Sequence, residues 1–157
     1  MSGCEPGVST ELRSAAIRLL ARREYSRVEL QIKLGQRGFD EYFVQLFLDD
    51  LENQNLLSDE RFARSLISTR SQTGYGPNRI SLELADRGVA EDIIRDAMEQ
   101  AEIDWNQCGV ELAIKKFGID PAQDFPEWAR RARYLERRGF DLQSIQFAIG
   151  NFEAAPA

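Results

Sequence analysis

Apolar residues recur at helical spacing along most of the chain. Between residues 41 and 54, Val44, Phe47, Leu48 and Leu51 follow the i, i+3, i+4, i+7 pattern of an amphipathic helix. Comparable stripes predict further helices before and after this segment, and apolar positions never alternate with a period of two over more than a few residues. The pattern therefore predicts an all-α protein with nine helices.

A three-residue turn appears three times, as Arg37-Gly38-Phe39, Arg87-Gly88-Val89 and Arg138-Gly139-Phe140. The glycines are 50 and 51 residues apart (88 − 38 and 139 − 88), which is a spacing typical of helical repeats. If each glycine follows a helix in the left-handed conformation, the next residue contacts the helix residue five positions back. The predicted contact pairs are apolar all three times: Leu34/Phe39, Leu84/Val89 and Leu135/Phe140.

The residues after each turn predict the start of another helix. The expected N-cap positions are Asp40, Ala90 and Asp141, and the expected partners of the apolar turn residue inside the next helix are Val44, Ile94 and Ile145. Each turn arginine lies in the last turn of the preceding helix, where a cation suits the helix dipole and is expected to bond free carbonyl groups. The sequence thus predicts the same helix-turn-helix corner three times.

The corners divide the chain into three tandem three-helix repeats, which are expected to form an elongated, curved array. The predicted organisation is a flexible tail over 1–9, repeats over 10–57, 58–103 and 104–152, and a tail over 153–157. The Gly74-Tyr75-Gly76-Pro77 stretch lacks the Lys-Ser/Thr pair of a phosphate loop, so it is interpreted as a helix end followed by a proline in the first helical position.

Composition excludes several classes of chemistry. The 157 residues include no histidine and only two cysteines, which rules out Ser-His-Asp and Cys-His pairs and a zinc site. We expect no cofactor, no metal and no disulfide. No stretch approaches the ~20 apolar residues of a membrane span, and no signal-peptide pattern is present, so a cytoplasmic protein is expected.

Charge follows the repeat. Residues 11–38 hold seven basic and three acidic residues (7 − 3 = +4), whereas residues 39–62 hold one and seven (1 − 7 = −6). The alternation recurs over 63–88 and 89–104, and residues 129–157 return to five basic against three acidic. One explanation for this segregation is that the charged side chains compensate the helix dipoles. The other is that the repeats present two surfaces of opposite charge, suited to binding along a repeating partner.

The sequence gives only weak support for direct DNA reading by the charged helices and for a metal site on them. The second helix of each corner is acidic and would repel DNA phosphate, so major-groove reading by that helix is not expected, and any DNA contact would involve phosphates and the basic helices. Tyr75 and other tyrosines near arginines could stack on bases, although core packing is their commoner fate.

Asp49, Asp50 and Glu52 lie close in sequence, but no further spaced ligand completes a two-metal site. We therefore predict that the protein is not an enzyme.

Several stretches resemble, in order, the signature segments of the RecX family, whose members regulate the RecA recombinase. The matching stretches are Ala21–Ser26 with Glu29-Leu30, Arg37-Gly38-Phe39, Leu56–Ala63, Gly74–Pro77 and Tyr134–Phe140. The resemblance spans roughly residues 12–152. At Asn78 the chain departs from the family, which often has a basic residue there, and with the net charge of −6 this shifts weight from DNA to protein contact.

The resemblance implies a bacterial cytoplasmic protein that lodges in the groove of the RecA filament on DNA and inhibits ATP hydrolysis and strand exchange. A stand-alone DNA-binding helical protein is the alternative. We expect a monomer that binds the RecA filament, with at most weak contact to single-stranded DNA. The partner-binding residues predicted from charge and aromatic content are Arg22, Arg23, Arg27, Arg70, Tyr75, Arg79, Arg130, Arg131, Arg133 and Arg138, and Gly38, Gly88 and Gly139 are the predicted structural turns.

Overall fold

The computed structural model describes residues 9–152, and within this range the chain forms nine α-helices and no strand. Their bounds are α1 Thr10–Leu20, α2 Arg27–Gln36, α3 Glu41–Asn53, α4 Asp59–Gln72, α5 Pro77–Asp86, α6 Glu91–Gln100, α7 Trp105–Phe117, α8 Phe125–Arg137 and α9 Leu142–Ile149. The predicted all-α fold of tandem three-helix repeats is confirmed. The predicted tails lie outside the described residues except for Ser9, which caps α1.

Short polar side chains begin the helices where the sequence places them. Ser26 forms a capping box with Glu29: its Oγ accepts the Glu29 N–H at 3.1 Å, and a Glu29 carboxylate oxygen accepts the Ser26 N–H at 3.2 Å. Asp40 and Asp141 accept backbone N–H groups at the starts of α3 and α9. Each such cap stabilises its helix by about 1 kcal/mol.

All three corners have the predicted backbone. Gly38, Gly88 and Gly139 adopt φ values of 87°, 82° and 103°. The N–H of the following residue donates to the carbonyl five residues back, at 3.4 Å for Phe39 to Leu34, 3.1 Å for Val89 to Leu84 and 3.1 Å for Phe140 to Leu135. These are the hydrogen bonds of the Schellman motif, and the residues that they join are apolar and largely buried. Each corner therefore fixes the end of one helix and the start of the next.

Two of the corner arginines contact groups outside their own helices. The Arg87 guanidinium binds Glu29 of the first repeat, and the Arg138 guanidinium lies 4.6 Å from the centre of the Tyr75 ring of the second repeat. A cation on a long, flexible stem reaches a carboxylate or an aromatic ring more favourably than it bends back to carbonyls of its own helix. These arginines thus contribute to packing between repeats.

Other turns also match the sequence. Asn55, just after α3, has a φ of 59°, and the Leu56 N–H donates to the Leu51 carbonyl at 2.9 Å. Gly74 has a φ of 88° after the end of α4, and Pro77 is the first residue of α5. A proline suits this position because its missing N–H has no helical partner there.

The chain forms two compact units that do not coincide with the repeats. Unit 1 contains the chain up to Ser65 together with Leu84–Ala97, and unit 2 contains Leu66–Glu83 together with the chain from Met98. The core of unit 1 includes Leu12, Ala16, Leu30, Leu34, Val44, Phe47, Leu48, Leu51 and Leu57. The core of unit 2 includes Leu112, Ala113, Leu135, Phe140 and Ile145. Unit 1 thus combines the first repeat with the second corner, and unit 2 combines the start of α5 with the third repeat.

Candidate partner-binding surfaces

In unit 1, the turn between α1 and α2 exposes two of the predicted arginines. Arg22 is exposed and forms no ion pair within residues 9–152. Arg23 lies 3.7 Å from the centre of the Tyr25 ring and bonds a Glu29 oxygen at 3.2 Å, while its side chain stays 45% exposed. The ring and the carboxylate hold this guanidinium in place, so it is an ordered cation at the surface.

Arg27, the third predicted residue of this group, is engaged inside unit 1. Its guanidinium lies 2.6 Å from an Asp49 oxygen and 3.1 Å from a Glu52 oxygen, and it donates to the Gln45 side chain at 2.8 Å. Burial disfavours the charged form, but the hydrogen bonds to Asp49 and Glu52 outweigh this and raise the pKa of Arg27. Arg27 thus braces α2 against α3. This placement argues against a direct partner contact, and it also explains the acidic cluster of α3.

Arg70 of unit 2 is also paired. Its Nε and Nη2 atoms donate to the two carboxylate oxygens of Glu83 at 2.9 and 2.8 Å. These side-chain hydrogen bonds raise the pKa of Arg70 above its ordinary value. Such a two-point bond fixes both side chains, so Arg70 contributes to the packing of α4 on α5.

The predicted residues Tyr75, Arg79 and Arg138 come together at the third corner. The Arg138 and Arg79 guanidinium carbons lie 4.6 and 5.9 Å from the centre of the Tyr75 ring. Arg138 Nε also donates to the Tyr134 hydroxyl at 3.3 Å. Two cations therefore share one tyrosine ring, which orders them. The ring is better suited to holding these cations than to stacking on a base.

A cationic cavity of about 310 Å³ adjoins this cluster in unit 2. It is lined by Lys115 and Lys116 at the end of α7, by Arg138 and Tyr134 of the third repeat, and by the end of α4. None of these three cations forms an ion pair within the described range, and Glu111 is the only carboxylate of the lining. The surface can attract an anionic partner because its charge is not neutralised within unit 2.

Sequence reasoning missed Lys115 and Lys116. A lysine pair in the last turn of a helix is the ordinary complement of a helix dipole, so its local pattern indicates no site. Only the three-dimensional structure identifies the lysine pair as part of a site, because it brings the Lys116 Nζ atom to 5.3 Å from the centre of the Tyr134 ring.

The basic run of α8 divides into exposed and buried members. Arg130 and Arg133 are exposed and form no ion pair among the described residues. Arg131 is only 8% exposed: it donates to the Asp120 carbonyl at 2.9 Å and to a Glu127 oxygen at 2.7 Å. Arg131 therefore departs from the predicted surface role, because the helix turns its side chain inward to hold the loop that precedes α8.

The described residues provide little for catalysis or metal binding. No group of three metal-ligating side chains occurs within residues 9–152, and Asp49 and Glu52 are already bound by Arg27. Burial raises the pKa of the Cys108 thiol, which makes it a weaker nucleophile at neutral pH. None of the described helices has the length and apolar content needed to cross a membrane.

The tandem three-helix repeats of residues 9–152 place the chain among helical-repeat proteins. Comparison with known proteins gives the particular family. Family models described as the first, second and third three-helix domains of RecX match residues 13–51, 58–98 and 107–149. The chain belongs to the RecX family of regulatory proteins, and the resemblance seen in its sequence motifs is confirmed.

Relatives cover nearly the whole chain. Regulatory protein RecX of Halorhodospira halophila is 41% identical over 145 residues, which are 92% of this chain and 90% of that protein. Regulatory protein RecX of Pseudomonas putida is 41% identical over 134 residues, or 85% of this chain and 86% of that protein. The crystal structure of RecX from Lactobacillus salivarius superimposes with a TM-score of 0.72 at 25% identity and covers 87% of this chain and 90% of that one.

Proposed function

We propose that this chain is a non-enzymatic negative regulator of homologous recombination. It binds the RecA–DNA filament along its groove and inhibits ATP hydrolysis and strand exchange. It acts in the cytoplasm as a monomer. The observation that carries the proposal is the match of all three repeats to the three domains of a regulatory family.

The cations that form no ion pair supply the contact in this proposal. Arg22 in unit 1 and Arg130 and Arg133 in unit 2 are exposed and unpaired within residues 9–152, and the cavity adds two lysines and Arg138. An acidic protein surface or a DNA backbone attracts such side chains, and a repeating filament offers the same charge to successive repeats. Arg27, Arg70 and Arg131 contribute instead by fixing the scaffold that presents the others.

The test is ATP turnover by a bacterial RecA on single-stranded DNA. Substoichiometric addition of this chain is expected to lower the turnover, because a bound regulator affects more than one subunit of the filament. Turnover that does not change at any ratio would contradict the proposal.

Charge-reversal variants test whether the cationic cavity contributes to filament binding. The double variant Lys115→Glu/Lys116→Glu is expected to bind the filament about tenfold more weakly, because it replaces attraction with repulsion at one site. The double variant Lys33→Glu/Arg95→Glu is the matched control, since it changes the net charge by the same amount at two exposed cations outside the cavity. An equal loss in the control would indicate only a net-charge effect.

The DNA-binding alternative is supported by the same cavity, because three cations beside tyrosines also suit a phosphate backbone. It predicts tight binding to a naked single-stranded oligonucleotide. The logarithm of the binding constant should fall with the logarithm of the salt concentration, with a slope of about −0.7 per neutralised phosphate. Weak binding to the naked strand together with inhibition of RecA would favour the filament regulator.

A further inference from the structure

The second corner is covered by the first turn of α2 within unit 1. Ser26 Oγ donates to the Arg87 carbonyl oxygen at 2.7 Å, and the Arg87 guanidinium binds Glu29. Val28 packs so closely on Gly88 that a Cβ at this glycine would lie 2.3 Å from a Val28 methyl carbon. A helix start with a small cap residue and an acid in its first turn thus forms this junction.

The third corner is covered in the same way within unit 2. The Gly76 N–H donates to the Arg138 carbonyl at 2.7 Å, and the Asn78 N–H donates to the Gly139 carbonyl at 2.9 Å. A Cβ at Gly139 would lie 2.4 Å from the Arg79 Cβ atom. Here the first turn of α5 is the covering element, again with a small residue, Gly76, just before the helix.

The first corner has the same backbone but is open. A Cβ at Gly38 would meet no described atom within 4 Å. Among residues 9–152, the Arg37 carbonyl accepts no hydrogen bond and the Arg37 guanidinium has no partner. A crevice of about 340 Å³ lies between this corner and α1, lined by Thr10, Glu11, Ser14, Ala15, Arg18, Arg37 and Phe39.

From this comparison we infer that the crevice between α1 and the first corner is a docking site for the N-terminal turn of a helix on a protein partner. Two junctions of this chain show what such a corner accepts. The partner's helix carries a small residue at its cap, as at both junctions, and an acidic residue in its first turn, as α2 does at the second corner; the first turn of α5 at the third corner has no acid. Arg37 and Arg18 face this acid, as Arg87 faces Glu29. The inference deepens the proposed function, since it names how a filament subunit is held.

The charge of the crevice favours this occupant. Its lining contains two arginines and one glutamate, and neither arginine is paired among the described residues. The two arginines repel the positive end of a helix dipole, and an acidic residue in the first turn compensates for this repulsion. Hydrogen bonding of a cap residue to the Arg37 carbonyl supplies the orientation, as Ser26 does at the second corner.

A peptide with the sequence of residues 23–36 of this chain, stapled as a helix, is the probe. It carries Ser26 and Glu29, the cap and the acid that the second corner already accepts. Added to the full chain labelled with ¹⁵N, it is expected to shift the Gly38 and Phe39 amide signals saturably. A peptide with Glu29→Gln keeps the cap but loses the charge, and it is expected to bind about tenfold more weakly because it can no longer accept charge-assisted hydrogen bonds.

Variants of the chain localise the contact. Ser14→Trp fills the crevice from an exposed position and is expected to abolish the shifts, and Arg37→Glu is expected to do the same by repulsion. Lys33→Glu changes an exposed cation of α2 outside the crevice and is expected to leave the peptide affinity unchanged. Absent shifts at Gly38, or equal shifts in Ser14→Trp, would overturn the inference.

Other occupants are distinguishable. Amide signals of Gly38 that move with the concentration of the free chain would assign the crevice to a second copy. Signals that move on deletion of residues 1–8 would assign it to this chain's own N-terminal segment. Either result overturns the docking of a partner helix.

Assays with RecA complete the test. If the wild-type chain lowers ATP turnover and both Ser14→Trp and Arg37→Glu lose this effect, the inference is supported. If both variants inhibit as well as the wild type, it is overturned. If the wild-type chain itself has no effect, the proposed function fails, and the peptide measurements alone decide on the crevice.

Discussion

A position can demand glycine for two reasons: its φ angle lies in the left-handed region, or neighbouring atoms leave no room for a Cβ. The corners of this chain allow these two demands to be measured separately. At Gly38, an added Cβ meets nothing within 4 Å, so Gly38→Ala tests only the left-handed backbone. This conformation costs an L-residue about 1–2 kcal/mol. At Gly76 the φ angle lies outside the left-handed region, but a Cβ would lie 2.5 Å from the Gly139 carbonyl oxygen. Gly76→Ala therefore tests only close packing, for which insertion of a methyl group costs about 1–3 kcal/mol.

Gly139 combines both demands. Its φ is 103°, and a Cβ there would lie 2.5 Å from the backbone nitrogen of Arg79, which cannot move without disturbing α5. Gly139→Ala is expected to lower the free energy of unfolding by the sum of the two costs, about 2–5 kcal/mol. The double variant Gly76→Ala/Gly139→Ala is expected to cost less than the sum of its single variants, since both methyl groups enter the same gap.

Urea unfolding followed by circular dichroism at 222 nm measures these differences, with hydrogen exchange of the corner amides as a check on which unit opens. The expected order of destabilisation is Gly38→Ala below Gly139→Ala, by at least about 1 kcal/mol. Equal losses at the two positions would refute the close packing at the third corner. No loss at Gly38 would refute the left-handed contribution.

Three further changes test other contacts. Gly88→Ala is expected to cost about 2–4 kcal/mol in urea unfolding. Val28→Ala in the same chain should recover part of this loss, because the three atoms nearest to a Gly88 Cβ all belong to the Val28 side chain; no recovery would contradict the clash. Arg131→Lys keeps the charge but loses the planar fork whose two Nη atoms bond the Asp120 carbonyl and Glu127 separately, so it is expected to cost about 1–3 kcal/mol and to speed hydrogen exchange in the loop before α8. Unchanged exchange would contradict this role. With the other cysteine replaced by serine, the pH profile of Cys108 alkylation is expected to give a pKa above that of a free cysteine, because burial disfavours the thiolate. A pKa at or below that of a free cysteine, measured in parallel, would contradict the burial argument.

The corners could be predicted from sequence because all their determinants are local. A glycine flanked by apolar residues five positions apart, followed by an aspartate at the first and third corners, specifies the helix end, the turn and the next helix start within about ten residues. Gly38 and Gly139 look identical at this level. The structure separates them, since Gly139 also contacts Arg79, which lies sixty residues earlier in the chain.

The partner-binding residues were harder to predict because charge along the chain does not indicate pairing in space. Arg27, Arg70 and Arg131 belong to basic segments, but each is bound by an acceptor at least eleven residues away in sequence: Asp49, Glu83 and the Asp120 carbonyl. Helical periodicity predicts which side of a helix is polar. It does not predict which polar residues meet a neighbouring helix.

The junction at the third corner is held by two main-chain hydrogen bonds, from Gly76 and Asn78 to the carbonyls of Arg138 and Gly139. Main-chain groups are the same in every amino acid except proline, so the attachment survives when neighbouring side chains are exchanged. The junction at the second corner depends on the hydroxyl of Ser26, which few residues can replace. Side-chain substitutions around the third corner, apart from those at its two glycines, are therefore expected to be tolerated. Substitutions at the second corner are expected to weaken the link between the first and second repeats sooner.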